Sequence, residues 1–149
     1  MQGLKIVLIG YGKMGHVIEE IAQARGHQIV LTIVRGEEAL FDDPRFASAD
    51  AAIEFTAPAM AFDNCLRAIE RGIPVVSGTT GWTDRQPELR ARCEAGEGTV
   101  FWSSNFSIGV NLFLQINRRV AALMQAAPNY HLSMDETHHI HKLDAPSGT

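Results

Sequence analysis

The residues best equipped for chemistry lie in one short stretch, Thr137-His138-His139-Ile140-His141-Lys142-Leu143-Asp144-Ala145-Pro146-Ser147-Gly148-Thr149. It has neither the 3.6-residue period of an amphipathic helix nor the alternation of a strand, so it does not exist to fill a core. Histidine exchanges protons near neutrality, and an adjacent lysine supplies positive charge or a second proton. Ser147-Gly148-Thr149 after Pro146 reads as a helix start, whose N–H groups and hydroxyl can hold an anionic group. Two other uses compete with this one. Asp135, His138, His139, His141 and Asp144 are metal-ligating types. Adjacent histidines in an extended segment point to opposite sides, however, and no His-Glu-x-x-His pattern occurs, so no metal is expected. A purely structural edge role would suit one histidine better than three beside a lysine. Acid–base chemistry next to an anion-holding turn is the favoured reading.

The second chemical signature is Gly10-Tyr11-Gly12-Lys13-Met14-Gly15. In a strand–turn–helix setting, Gly10 permits the tight turn and Gly12 lets a pyrophosphate approach the backbone. Gly15 allows close helix–strand packing, and the helix N-terminus offers its N–H groups to phosphate. Alone the motif is weak, but its surroundings agree. Lys5–Ile9 precedes it as a continuous apolar, β-branched run, and a helical pattern with Val17, Ile18, Ile21 and Ala22 on one face follows, closed by Gly26. Gln28–Val34 is the next strand, completing a βαβ unit. Where an NAD-preferring unit carries an acidic residue, this chain has Val34 and then Arg35. A guanidinium there suits the 2′-phosphate of NADPH, while Glu37 or Glu38 remains an alternative partner for the ribose of NADH. NADPH is the expected preferred cofactor and NADH the second.

These groups need a scaffold. Residues 36–50 read as a surface connection. Ala51–Phe55 reads as a strand ending at Thr56-Ala57-Pro58, followed by a helix over Met60–Arg71. Ile73–Val76 is a strand running into Ser77-Gly78-Thr79-Thr80-Gly81. Trp82–Ala95 reads as a helix capped by Thr83 or Asp84. Val100–Ser103 is a fifth strand, ending in Ser104-Asn105-Phe106-Ser107. The pattern predicts an α/β fold, a doubly wound parallel sheet of the Rossmann type, in which ligands bind outside the carboxyl ends of the strands. That position makes Thr56 and the Gly78-Thr79-Thr80 turn candidate cofactor contacts, although glycine and threonine are also ordinary turn residues. After Ser107 the character changes. Leu112, Phe113, Ile116, Val120, Leu123 and Met124 form one face of a long helix, and Tyr130–Glu136 alternates like a half-solvated strand. A nucleotide domain over 1–107 and the beginning of a second, α+β domain over 108–149 are expected.

Composition restricts the function class. An apolar fraction of 46%, a charged fraction of 20% and a net charge of -4 belong to a soluble globular protein. There is no basic footprint for nucleic acid and no membrane-length apolar run. Leu4–Gly10 is too short for a secretory leader, and Cys65 and Cys93 lack metal or redox spacing. A cytoplasmic location with two free thiols is expected.

Taken together, the motifs resemble those of the 4-hydroxy-tetrahydrodipicolinate reductase (dihydrodipicolinate reductase) family. The resemblance rests on Glu136-Thr137-His138-His139-Ile140-His141-Lys142-Leu143-Asp144-Ala145-Pro146-Ser147-Gly148-Thr149. It is supported, in the family's order, by Gly10–Gly15, Phe55-Thr56-Ala57-Pro58, Gly78-Thr79-Thr80-Gly81 and Asn105-Phe106-Ser107-Ile108-Gly109-Val110-Asn111. The resemblance implies an oxidoreductase of diaminopimelate and lysine biosynthesis that acts on a small dicarboxylate. It implies His138 as proton donor/acceptor, Lys142 as second proton donor, His139 as substrate contact, and Gly148 and Thr149 as the carboxylate-holding turn. Gly10, Tyr11, Gly12, Lys13, Met14, Gly15, Arg35, Phe55, Thr56, Gly78, Thr79, Thr80, Ser103, Ser104, Asn105 and Phe106 correspond to cofactor contacts. Two positions depart from the family: the glycine turn is one residue shorter than its commoner form, and Val34 replaces the acidic strand-end residue. The family's chains run beyond Thr149 into a sheet that also builds a homotetramer. Two readings therefore stand, a reductase and a non-catalytic nucleotide-binding portion of one.

Overall fold

A computed structural model describes residues 3–131, 133–138 and 140. Its backbone falls into two compact units, residues 1–103 and 104–149, which are described separately.

The first unit is built on five parallel strands: β1 (Lys5–Ile9), β2 (Gln28–Ile33), β3 (Ala51–Glu54), β4 (Val75–Ser77) and β5 (Val100–Trp102). Their spatial order is β2-β1-β3-β4-β5, with every neighbouring pair parallel. The chain therefore winds outward in two directions from β1, and the crevice between the ends of β1 and β3 is the switch point where such sheets bind ligands. The apolar run of β1 explains why it is central. Successive side chains face opposite sides, so Ile6 and Leu8 join Ala22, with Ile18 and Tyr11 packed against them. Val7 and Ile9 instead join a larger cluster with Leu31, Phe41, Phe62 and Ile69. Both faces are covered, as the doubly wound reading requires.

Four helices complete this unit: α1 (Lys13–Ala24), α2 (Pro44–Ala47), α3 (Pro58–Glu70) and α4 (Gln86–Glu94). Helix α1 begins inside the glycine motif, with Gly12 as its N-cap, and ends before Gly26, whose φ of 80° suits a glycine terminator. Its buried face is narrower than the sequence pattern predicts. Ala22 is buried and Ile18 half-buried, but Val17 and Ile21 are 44% and 47% exposed. A helix lying on a flat sheet covers only the stripe that touches it, and the outer half of a broad apolar face stays outside.

Three further expectations need correction. The connection over 36–50 is not a featureless surface loop. It holds a 3₁₀ turn at Glu38–Asp42 and the short α2, whose Phe41 and Phe46 are buried with ring centroids 5.1 Å apart. Polar neighbours masked these two anchors, because one aromatic per turn carries no periodicity. Asp43 fixes the helix start by accepting from the Arg45 guanidinium at 2.9 and 2.7 Å and from its backbone N–H at 2.8 Å, which holds its carboxyl at about 2. The helix placed at Trp82–Ala95 is instead a 3₁₀ turn at Thr83–Arg85 followed by α4, without a side-chain cap. Pro87 lies in the first turn of α4, where its missing N–H costs nothing, and Trp82 is buried outside the helix.

In the second unit, α5 (Ile108–Met124) is capped by Ser107, whose hydroxyl accepts from the Val110 N–H at 3.4 Å. Asn105 and Asn111 brace this start. The Asn105 side chain accepts from the Ser107 N–H at 2.8 Å, and Asn111 donates to the carbonyls of Asn105 and Ser107 at 3.0 and 2.8 Å. The alternating segment from Tyr130 does not form a strand among its described residues. Alternation assigns side chains to faces, but a strand also needs a neighbour for its backbone groups. Among the described residues, no helix is long and apolar enough to cross a membrane.

Replacing Phe46 by Ala is expected to lower the unfolding free energy by about 3–5 kcal/mol, read from urea denaturation, because a fully buried ring leaves a cavity. A loss below about 1 kcal/mol would mean that this connection is not part of the core.

Candidate functional site

At the carboxyl ends of β1 and β3 the backbones approach too closely for side chains. Gly10, at φ 96°, donates to the Ile33 carbonyl at 2.8 Å, and a Cβ there would lie 2.0 Å from the Phe55 carbonyl oxygen. The Phe55 ring in turn covers Gly78, where a Cβ would fall 2.1 Å from a ring carbon. A Cβ on Gly15 would meet the Gly10 carbonyl oxygen at 2.6 Å. Gly12 differs from all three. Its φ of -89° is open to any residue, and no atom lies within 4 Å of an added Cβ. It caps α1 without any side-chain hydrogen bond. Gly10 and Gly15 are thus required by packing, while Gly12 keeps space open beside an uncapped helix N-terminus. That combination fits a phosphate-bearing cofactor. Lys13 and Met14 are exposed in the first turn of α1. The Tyr11 side chain runs along that helix, donating to Glu19 and lying 4.1 Å from the His16 ring.

A small hollow lies where β1 and β2 end and the turn after β2 begins, lined by Ile9, Ile33, Arg35, Phe41, Thr56 and Asn64 among others. It brings Arg35 and Thr56, which are distant in sequence, onto one wall. Both acidic alternatives are drawn onto the turn's own backbone. Glu37 accepts from the Val34 N–H and Glu38 from the Gly36 N–H, each at 3.1 Å. The Glu38 carboxyl lies below its ordinary range because it accepts backbone N–H groups, its own and that of Gly36, with Arg67 and Arg35 adding smaller attractions. A larger hollow of about 430 Å³ lies elsewhere, between α4 and β5.

Sequence reasoning passed over the most connected polar residue near these turns. Glu54, at the end of β3, is fully buried. Its carboxylate accepts from the hydroxyls of Ser77, Thr79 (2.9 Å) and Thr56, and from the Thr56 N–H at 3.0 Å. A lone charge inside Ala51-Ala52-Ile53-Glu54-Phe55 was the signal that could have found it, since buried charges survive only with partners. Thr79 is buried with its hydroxyl turned inward, while Thr80 is exposed. The Thr79 carbonyl accepts both indole N–H groups, from Trp82 at 2.7 Å and Trp102 at 2.8 Å. Cys65 lies in the same region. Burial, with the Glu54 charge adding to it, pushes its thiol up to about 12, so it is an inert core group.

Gly10 to Gly15, Arg35, Phe55, Thr56, Gly78 to Thr80 and Ser103 therefore share the first unit, Ser103 through its N–H to the Ser77 carbonyl at 3.3 Å. Ser104, Asn105, Phe106 and His138 belong to the second. There His138 Nε2 pairs with the Glu136 carboxylate. His139, Lys142, Gly148 and Thr149 lie outside the described residues, as do His141 and Asp144. Among the described residues, no group of three or more His, Cys, Asp and Glu side chains converges on a metal-sized site.

Gly10→Ala is expected to cost about 1–3 kcal/mol of stability, because the new Cβ meets a carbonyl oxygen at a left-handed φ. Gly12→Ala, with open space and an ordinary φ, is expected to cost no more than about 1 kcal/mol. Urea unfolding of the two variants side by side checks the contrast, and equal losses would contradict it.

The sequence profile described as "Dihydrodipicolinate reductase, N-terminus" matches residues 4–106, and "Dihydrodipicolinate reductase, C-terminus" matches residues 109–149. A 4-hydroxy-tetrahydrodipicolinate reductase of Christiangramia forsetii is 41% identical over 146 residues, covering 98% of this chain and 60% of its own length. The protein of that name from Staphylococcus saprophyticus is 34% identical over 152 residues (98% and 61%), and that from Streptomyces coelicolor 35% over 155 residues (100% and 58%). The chain thus spans about 60% of the length of these relatives. In fold, the chain is similar to a homoserine dehydrogenase from Thiobacillus denitrificans, with a TM-score of 0.50 and 22% identity over 68% of this chain and 30% of that one. Profiles matching nearly the whole sequence, on a parallel five-stranded dinucleotide-type fold, place this chain in the dihydrodipicolinate reductase family.

Proposed function

We propose that this chain carries the cofactor-binding part and the proton-delivery loop of an NAD(P)H-dependent reductase. The substrate is 4-hydroxy-tetrahydrodipicolinate, a small dicarboxylate, and the product is tetrahydrodipicolinate, in diaminopimelate and lysine biosynthesis. The observation that carries this reading is the glycine turn, crowded at Gly10 and Gly15 and open at Gly12, in a chain of this family. Residues 1–107 form the nucleotide domain and 108–149 begin the substrate domain, which in the whole protein completes a cytoplasmic homotetramer.

The residues divide the work. The N–H groups of the Gly10–Gly15 turn hold the pyrophosphate, with Tyr11, Lys13 and Met14 around it. Phe55, Thr56, Gly78, Thr79, Thr80 and the Ser103–Phe106 segment line the remainder of the dinucleotide site. Arg35 receives the 2′-phosphate, which makes NADPH the preferred cofactor and NADH the second. The engagement of Glu37 and Glu38 with the backbone of the turn after β2 supports that order, since each carboxylate already accepts an N–H there. When bound, the nicotinamide supplies the hydride for the cyclic imine. His138, oriented by Glu136, and Lys142 deliver the proton, His139 contacts the substrate, and Gly148 and Thr149 hold a substrate carboxylate. No metal takes part.

NADPH titration of the chain, followed by absorbance at the nicotinamide band with freshly made substrate, tests the reading. Absence of NADPH binding would overturn it. Binding without turnover would leave the second reading, a nucleotide-binding portion that needs the remaining length of its relatives for catalysis. Gly12→Ala is expected to weaken both cofactors, because its methyl group fills the space left for the pyrophosphate. Arg35→Ala should weaken NADPH by about tenfold to a hundredfold, the worth of a charge-assisted contact, while changing NADH less than about threefold. In turnover, His138→Gln and Lys142→Met are each expected to cut kcat by about 10²–10⁴-fold with the cofactor Kd unchanged. A near-wild-type kcat in either variant would remove that residue from proton delivery.

A further inference from the structure

The network around Glu54 has a direction imposed by chemistry. A carboxylate only accepts hydrogen bonds, so each hydroxyl that meets it must donate. Ser77, Thr79 and Thr56 all turn their protons toward Glu54. This leaves lone pairs facing outward. The Thr79 hydroxyl accepts from the Thr56 N–H at 2.8 Å, and the Thr56 hydroxyl accepts from the Asn64 side-chain amide at 3.2 Å. The carboxylate thus reads out, through one layer of hydroxyls, onto two surfaces of the candidate site. Thr56 and Asn64 are on the wall of the hollow that contains Arg35, and Thr79 sits in the turn after β4. On its other side that turn is held by Trp82 and Trp102, which both donate to the Thr79 carbonyl. Burying a charge to join strand ends is an expensive way to gain stability, because apolar packing would do as well or better. A buried polar group that is fully satisfied does fix geometry, however.

We propose that Glu54 is a positioning residue for the cofactor. Its buried carboxylate orients the hydroxyls of Thr56 and Thr79, and thereby holds the turns after β3 and β4 as one preorganised platform for the dinucleotide. The proposal rests on the reading that these turns contact the cofactor. Glutamine at position 54 would keep the shape and one acceptor but present an N–H₂ group to donors. With the amide nitrogen on the Ser77 side, the Ser77 hydroxyl must reverse; on the other side, the Thr56 and Thr79 hydroxyls must reverse, and with them the partners offered to the Thr56 N–H and Asn64.

The experiment compares the wild-type chain with Glu54→Gln, Thr79→Val, the double variant and Phe46→Ala. NADPH affinity is read by tryptophan emission, well below every unfolding midpoint. The chain has two tryptophans, and both are bonded to the Thr79 carbonyl, so emission of the cofactor-free protein also reports the turn itself. Glu54→Gln is expected to raise the NADPH Kd by about tenfold or more, the size of one misdirected charge-assisted hydrogen bond, and to shift the cofactor-free emission. Phe46→Ala, a core variant that packs on Phe41 and takes no part in the hydrogen-bond network, should change Kd less than about twofold. In the Thr79→Val background the Glu54→Gln step should cost markedly less than in the wild type, since the two act through one bond. Where Glu54→Gln does not fold, Glu54→Asp takes its place in the cycle. Wild-type affinity in the Glu54 variant, full additivity with Thr79→Val, or an equal loss in Phe46→Ala would each overturn the positioning role. A wild-type chain that fails to bind NADPH would instead overturn the functional reading beneath it.

Discussion

Phe55 is wedged between two glycines, and the candidate site depends on that wedge. Its carbonyl oxygen sits where a side chain on Gly10 would be, and its ring covers Gly78. The ends of β1, β3 and β4 are thereby brought to a spacing that ordinary residues could not reach. A dinucleotide is long and carries charge mostly at its centre, so its site needs backbone N–H groups close together and side chains kept away. Close approach at Gly10 and Gly78, with room retained at Gly12, supplies those two conditions from the same three strand ends.

Around the wedge, several polar groups are engaged within the protein. Glu54 is consumed internally by Ser77, Thr79 and Thr56, and the Thr79 carbonyl by the two indoles. Glu37 and Glu38 are consumed by the turn between β2 and the Phe41 segment. Arg35 is exposed on the wall of the adjoining hollow, with the Glu38 carboxylate on the same wall. In the second unit, the pairing of Glu136 with His138 gives the imidazole a defined orientation.

How much of this was legible in the sequence varies from residue to residue, for physical reasons. The β1 run, the glycine motif and the α3 face were readable because parallel strands buried on both faces and helices over a sheet impose dense, periodic apolar patterns. Phe41 and Phe46 were not, since single aromatics in short turns leave no period. The capping of α1 by Gly12 rather than by a side chain was implicit in the motif. The start of α4 was misplaced because Thr83 and Asp84 are good caps, and only the packing of Trp82 beneath Thr79 shows that the helix waits for Pro87.

Local chemistry by itself determined the family signature, the parallel-sheet class and the residue types for proton transfer, because each depends on spacing along the chain. Tertiary structure decided which glycine is obligatory and which leaves room, since that depends on what a Cβ would meet across the sheet rather than on neighbours in sequence. It also decided that Glu54 is a buried hub, that both tryptophans converge on one carbonyl, and that Arg35 and Thr56 share a wall. The bonds of Thr79 to Thr56, Glu54 and Trp102 join residues more than twenty positions apart, and only the sheet's register brings them within hydrogen-bond reach.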